Sequence, residues 1–499
     1  VSLESCRFAM TSSGAAYAVE NRAGRLTMSS CTFTGSGSHV LTRQKAAKTV
    51  LSNCMTASTL KLTDQSGGKT VTSFAAADKV SAALPKIAAS ALAQKAVRPS
   101  GKAFANLQSY GAKAGSSTDV GPLLQKAIND VAAAGGGVVY VPYGAYRLES
   151  AVTVKSGVEV KGSNDTPHHS SRRAATFLTD FGRNKADGTA LFTLQSKAGL
   201  SGFTVFYDKQ DSAKCCPYAY TVRGAGSGVY VVNVTLCYTY QGIDLKTNRC
   251  DDHYIEGVGM GALVSGVAVG GGSRNGIVRD VQANVHYITD VPYPGGKREG
   301  GDAGFDRLLY YAYEPFSVES SQNELLFNNF IWGSWHGVAI KGGKNVTVLG
   351  MGCDNSVKGI YLTGCEGETV NLINSQLVCL GGTGRKSYIY ADAKFRGTAN
   401  VFNTTMWGTS TLGAEVSGGR VNLTQGVMVS PGGVGVLLNN GHVSVSGLLI
   451  GNCSDAVFYI EDSATAADSS YKAFGNLVGA GTLLKNRSGL IPQGSDLKK

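Results

Sequence analysis

The sequence predicts an all-β chain built as a solenoid, a parallel β-helix in which short strands stack coil upon coil. Two observations carry this. Segments with a Gly-apolar-x-apolar strand pattern recur at 241 (QGIDL), 265 (SGVAV), 336 (HGVAI), 358 (KGIYL), 387 (SYIYA), 413 (GAEVS), 434 (VGVLL) and 455 (DAVFY). Apart from one step of 71 residues, the steps lie between 21 and 29 residues, about one turn of a three-stranded coil. Glycine supplies 66 of 499 residues without a Gly-x-y period, which suits many short strands and frequent turns and excludes collagen. A globular α/β chain would need long helices between the strands, and these are absent.

Strand side chains alternate, so the third and fifth residues of each rung point inward and the fourth points out. The outward column is then Asp244, Ala268, Ala339, Tyr361, Tyr390, Val416, Leu437 and Phe458. Residues 1–63 form a partial repeat of their own, with Cys6, Cys31 and Cys54 at steps of 25 and 23. A few rungs are poorly stable alone, so this piece should dock on the main body, on a β-helical segment preceding Val1, or on another copy. Residues 64–103 read as a linker with a short helix near 80–92. The main coil runs over 104–485, and 486–499 is a tail. The long step contains VHYITDVPYPGGKREGGDAGFDRLLYYAYEPF, a Tyr-rich insertion within 280–325.

The main coil opens with a helix: Asp119 caps it, and Leu123, Leu124, Ala127, Ile128 and Val131 share one face. Gly135, Gly136 and Gly137 end it. Short strands follow, broken by Pro142, Gly144 and Gly157. The phrase carried by Tyr110, Gly111, Ala112, Lys113, Asp119, Ala127, Ile128, Gly136, Gly137, Val138, Tyr140, Pro142, Gly144 and Tyr146 resembles the opening of the pectate-lyase-superfamily β-helix proteins. The resemblance implies a right-handed coil with an N-terminal capping helix. Val120 stands where the family has a second Asp, a departure that touches the cap more than the chemistry. Many activities sit on that scaffold, so the resemblance says little about reaction.

The net charge of +11 is scattered, with no dense Lys/Arg block and no nucleic-acid motif. No run of 18 apolar residues offers a membrane span. Eleven cysteines lack zinc-site spacing and fit stacked thiols or occasional disulfides. No signal peptide is visible, and Val1 falls inside a strand pattern, as expected of a trimmed piece. Sequons at Asn233, Asn345, Asn403, Asn422, Asn452 and Asn486 favour an extracellular or cell-surface glycoprotein.

Polysaccharides lie in the groove above a solenoid's outward column. Asp244 belongs to that column, and Asp251 and Asp252 follow within QGIDLKTNRCDDHYIEG, beside His253. Seven residues separate Asp244 from Asp251, enough to round one corner, so these acids are the expected catalytic pair of a glycoside hydrolase. The segment from 200 onward resembles lacto-N-biosidase-type hydrolases, in which two Asps seven apart act; Asp180 and Asp187 share that spacing. His253, His286, Tyr287, Tyr311, Trp332, Trp335 and His336 are the expected glycan contacts. No cofactor is implied: nothing spells the calcium-binding acids of a lyase. The competing readings are a non-enzymatic adhesin, filament or fibre subunit, and a polysaccharide lyase.

Overall fold

The structure is a computed structural model. It describes every residue except 5, 11–16, 30, 36, 46, 53, 57–60, 66–69, 74–84, 86, 164–174, 212, 286, 288–302, 430, 475, 495, 498 and 499. The chain divides into two compact units, residues 86–361 with 381–384, and residues 1–85 with 362–380 and 385–499.

In the unit containing 86–361, the helix Gly121–Ala133 buries Leu124, Ala127, Ile128 and Val131 at the start of the coil. Asp119 sits one residue before the N-cap Val120. Its carboxylate accepts hydrogen bonds from the Gly121 and Glu149 N–H groups and the Ser150 hydroxyl, tying the helix to the first coil. Gly135 and Gly136 then take φ of 92° and 90°, a left-handed turn that L side chains resist.

From there the strands stack in parallel on three faces. Gly137–Tyr140 pairs with Val158–Lys161, Gly144–Arg147 with Ala175–Leu178, and Val152–Val154 with Phe192–Gln195. Each strand is too short to stand alone, so inward side chains of successive turns supply the core. Phe177, Phe192 and Phe203 meet at centroid distances of 5.3 to 5.8 Å. Further along, single strands such as Thr235–Leu245 bend from the second face to the third, with register breaks on either side of Thr239.

The corner between the third and first faces is held by a ladder of left-handed residues. Asp252, Asn275, Asn323 and Asn345 have φ of 53°, 57°, 55° and 58°. Each Asn amide donates to the side-chain oxygen one turn earlier. Asn tolerates this conformation because its short polar chain bonds locally.

The 71-residue step hides a rung. Glu314–Val318 pairs with Gly259–Val269 and with Phe330–Ile340, splitting that step into 49 and 22. The excursion proper is therefore shorter and carries the helix Ala303–Tyr311.

In the other unit, Ser387, Leu412, Val434 and Ala456 are in register. The rungs expected at 413 and 455 are thus one residue out, and the outward column reads Tyr390, Glu415, Leu437, Tyr459. The physical marker is a glycine at the second position of a rung: a Cβ on Gly413 would lie 2.2 Å from the Gly435 carbonyl oxygen. The N-terminal coils extend past 63, since Thr70–Ser73 pairs with Lys48–Ser52. They bury Met28, Cys31, Phe33 and Cys54, and Arg25 donates to the Ile450 carbonyl at 3.2 Å. The segment after 485 is not a loose tail throughout: Gln493 bridges to Lys472, and Leu490 is buried. None of the eleven cysteines is in a disulfide.

Candidate functional site

The corner between the second and third faces of the 86–361 unit collects the polar chemistry. Arg147 pairs with Leu178, and Leu178 with Phe206. Two residues further on, Glu149, Asp180 and Asp208 therefore occupy the same corner on three successive turns, about 4.8 Å apart per turn. Like charges stacked this way repel. Two arginines hold them: Arg147 grips Asp208 with both arms at 2.8 and 2.7 Å and reaches Glu149 at 3.1 Å. Arg183 donates to both oxygens of Asp180 at 2.9 and 3.1 Å, and the Tyr218 hydroxyl donates to Asp180 at 2.5 Å.

Glu149 differs from its neighbours. Burial pushes its pKa up, and the nearby Asp180 charge adds to this. The Asp180 N–H and Arg147 oppose the rise without cancelling it. Its side chain stays about one-third accessible, as does that of Asp180. A carboxyl group with a raised pKa beside an ion-paired carboxylate one turn away is an arrangement that can supply a general acid and its partner.

The same edge continues through Gln241, whose amide donates to the Tyr218 carbonyl at 2.9 Å. Gln241, Ser265 and Glu314 are register neighbours, and His336 follows on the next turn. Tyr220 shares a hydrogen bond with Ser265, and burial pushes its pKa up to about 12. Glu314 bonds His336 Nδ1 at 2.9 Å and the Lys341 ammonium at 2.6 Å. Burial would raise the Glu314 pKa; these two partners outweigh it and hold the group ionised. Burial keeps the His336 ring neutral against the pull of Glu314. The ring stacks on Trp335 at 3.7 Å and meets the tilted Tyr361 ring at 4.2 Å. An acidic end and an aromatic end thus share one edge of the coil.

The acids expected to be catalytic are each engaged in structural contacts. Asp244 is completely buried on the third face. Its oxygens are taken by Arg223 at 2.7 Å, the Thr247 hydroxyl at 2.6 Å and the N–H groups of Lys246 and Thr247. Asp251 pairs with Arg249 and accepts the Arg274 N–H, while Asp252 starts the asparagine ladder. Both stand at a different corner from Glu149 and Asp180.

His253 is also withdrawn. It is fully buried, with Nε2 2.9 Å from Glu324 and Nδ1 2.8 Å from the Cys250 carbonyl. Burial favours the neutral ring, but the Glu324 charge and hydrogen bond and the Cys250 carbonyl outweigh it and raise the pKa. A raised folded pKa gives stability that is full below the unfolded value of about 6.5 and fades as pH rises through the folded value. The melting temperature should fall over that window in the native chain and change less in His253→Gln, as read by a thermal melt against pH.

Tyr287 is buried, with its hydroxyl on Gln282, and its ring fills the space over Gly259, so it anchors the coil and offers no glycan contact. Trp332 and Trp335 are half-buried. Tyr311 is 54% exposed, with its hydroxyl 2.7 Å from that of Thr383. His286 lies outside the described residues. Among the sequons, Asn422 is unsuitable for a glycan: it is 4% exposed and its amide donates to Asn400. Asn233 is half-buried, and Asn345, Asn403, Asn452 and Asn486 are exposed.

Glu149, Asp208 and Glu314 were missed in sequence. Glu149 and Asp208 lie among early strands whose register cannot be aligned by eye, and Glu314 lies in a rung concealed in the excursion. A 22-residue step back from His336 would have found Glu314.

This architecture is that of a right-handed parallel β-helix, and residues 104–210 match the family described as rhamnogalacturonase A/epimerase, pectate lyase-like. That segment holds Glu149, Asp180 and Asp208. Over 108 residues the chain is 36% identical to rhamnogalacturonase A of Aspergillus aculeatus, a match spanning 20% of this chain and 22% of that protein. Two solved structures share the fold, each with a TM-score of 0.52. The mannuronan C-5 epimerase A-module of Azotobacter vinelandii is 14% identical, with 79% of this chain and all of that one covered. The GH87 α-1,3-glucanase catalytic unit of Streptomyces thermodiastaticus is 18% identical, with 80% and 70% covered.

Proposed function

We propose that the protein is a secreted glycoside hydrolase that binds a poly- or oligosaccharide along the edge running from Glu149 to Tyr361. The observation that carries this reading is the raised pKa of Glu149 beside Arg-held Asp180. Glu149 protonates the leaving glycosidic oxygen, and Asp180 is the carboxylate that attacks the anomeric carbon or stabilises its positive charge. Retaining enzymes keep their two carboxyl groups roughly 5–5.5 Å apart, close to one turn of this coil, so the anomeric configuration should be retained. The names of the similar proteins, which act on carbohydrates, support the substrate class. Among the described residues no helix is long and apolar enough to cross a membrane.

The test is hydrolysis of a panel of neutral and acidic glycans, with the anomer of the first product read by NMR. Cleavage with retention supports the pair; cleavage with inversion removes Asp180 as nucleophile, and no cleavage of any glycan removes the enzyme reading.

Trp335 is a stacking platform in this scheme. Losing an aromatic contact worth about 0.5–1.5 kcal/mol should raise KM roughly 2–10-fold in Trp335→Ala, with kcat nearly unchanged. Steady-state kinetics on the best substrate of the panel checks this.

A further inference from the structure

The unit containing 385–499 carries a cleft of about 510 Å³, lined among others by Arg396, Ser417, Arg420, Asn440, His442 and Asp468. Its volume falls in the range of small-molecule sites. Thr398, Arg420, His442 and Ser470 are register neighbours on successive turns, so Arg420 stands directly beside His442. Arg396 joins from the preceding turn, its Nη1 fixed by the carbonyls of Ala393 at 2.7 Å and Phe395 at 2.9 Å. His442 Nδ1 lies 3.0 Å from the Ser470 hydroxyl. The acid of the lining, Asp468, accepts from the Thr465 hydroxyl at 3.2 Å. Among the described residues no carboxylate lies within ion-pair distance of Arg396 or Arg420.

Two guanidinium groups and an imidazole therefore face a polar cleft in which Asp468 is the carboxylate of the lining, and that acid makes no ion pair with either arginine. Glycine opens the floor: a Cβ at Gly441, where φ is +93°, would meet the Gly419 carbonyl oxygen at 2.6 Å. The excess of positive charge in this lining favours an anion, and the planar guanidinium fork matches a carboxylate. Hydroxyl and amide groups at Ser417 and Asn440 suit a ligand that is itself hydroxylated.

We infer that this cleft is a second saccharide-binding site, distinct from the Glu149 edge, which takes a sugar acid by its carboxylate on Arg396 and Arg420. Binding does not depend on the hydrolase reading. The experiment is isothermal titration of the full chain carrying Glu149→Gln, with galacturonate, galactose and sodium sulfate as separate titrants. Galacturonate should bind, and Arg420→Gln and His442→Gln should each weaken it, the former at least 10-fold, with unchanged far-UV circular dichroism. Galactose binding equally well, sulfate binding without galacturonate, or galacturonate binding undiminished by both substitutions would each overturn the assignment. Reducing-sugar release by the native chain is scored separately, so either reading can fail without the other.

Discussion

Asp244→Ala is expected to be among the most destabilising single changes in this chain. Its carboxylate is fully buried, and it closes the turn at 246–247 while neutralising Arg223. Removing one partner of a buried pair typically costs about 3–5 kcal/mol, because the other charge is left uncompensated. Chemical denaturation of native and variant chains measures the difference. The same contacts set a pH dependence. Burial alone would raise the Asp244 pKa, but Thr247, Arg223 and Lys246 together lower it below the ordinary value. A depressed folded pKa gives stability that is present above the unfolded value of about 3.9 and is lost as pH falls through the folded value. The native chain should therefore lose this contribution only in strong acid, and Asp244→Asn should flatten that part of the curve.

Glu149→Gln should leave the fold intact and lower kcat by roughly 10²–10⁴, the usual contribution of a positioned general acid. The loss should depend on the leaving group. An aryl glycoside with an acidic phenol needs little protonation, so it should be cleaved by the variant far better than the natural glycan. The acid limb also gives a signature in pH. Because burial and Asp180 raise the Glu149 pKa, the native enzyme should keep its protonated acid to higher pH than a free carboxyl group would allow. The alkaline fall in kcat/KM should report that group and should vanish in Glu149→Gln.

The coil itself was legible because a period is visible wherever one rung follows another: 336 and 358 lie within, and 434 begins, strands that pair in parallel with the next turn. Register was less legible. At 413 and 455 the apolar alternation fits two offsets, and only the close approach of Gly413 to the next turn decides between them. The proposed site is of the expected kind, a pair of carboxylates, but uses other residues than the spacing suggested. Spacing along the chain suggested that Asp244 and Asp251 round one corner together; Asp244 ends a strand and Asp251 stands in the turn after it, but each is committed to an arginine, Arg223 and Arg249. Asp244 and His253 look like chemistry in sequence, but both are buried partners, of Arg223 and Glu324. Glu149, Asp180 and Asp208 are separated by about thirty residues each, the length of one turn, and only stacking makes them neighbours.

Initial rates of glycan cleavage for Glu149→Gln, Asp180→Asn and Asp251→Asn, measured side by side with the native chain, test the account most directly. The prediction is a loss of at least 100-fold in the first two and native rates in the third. Native rates in Glu149→Gln and Asp180→Asn with a collapse in Asp251→Asn would contradict it and return the chemistry to the opposite corner of the coil.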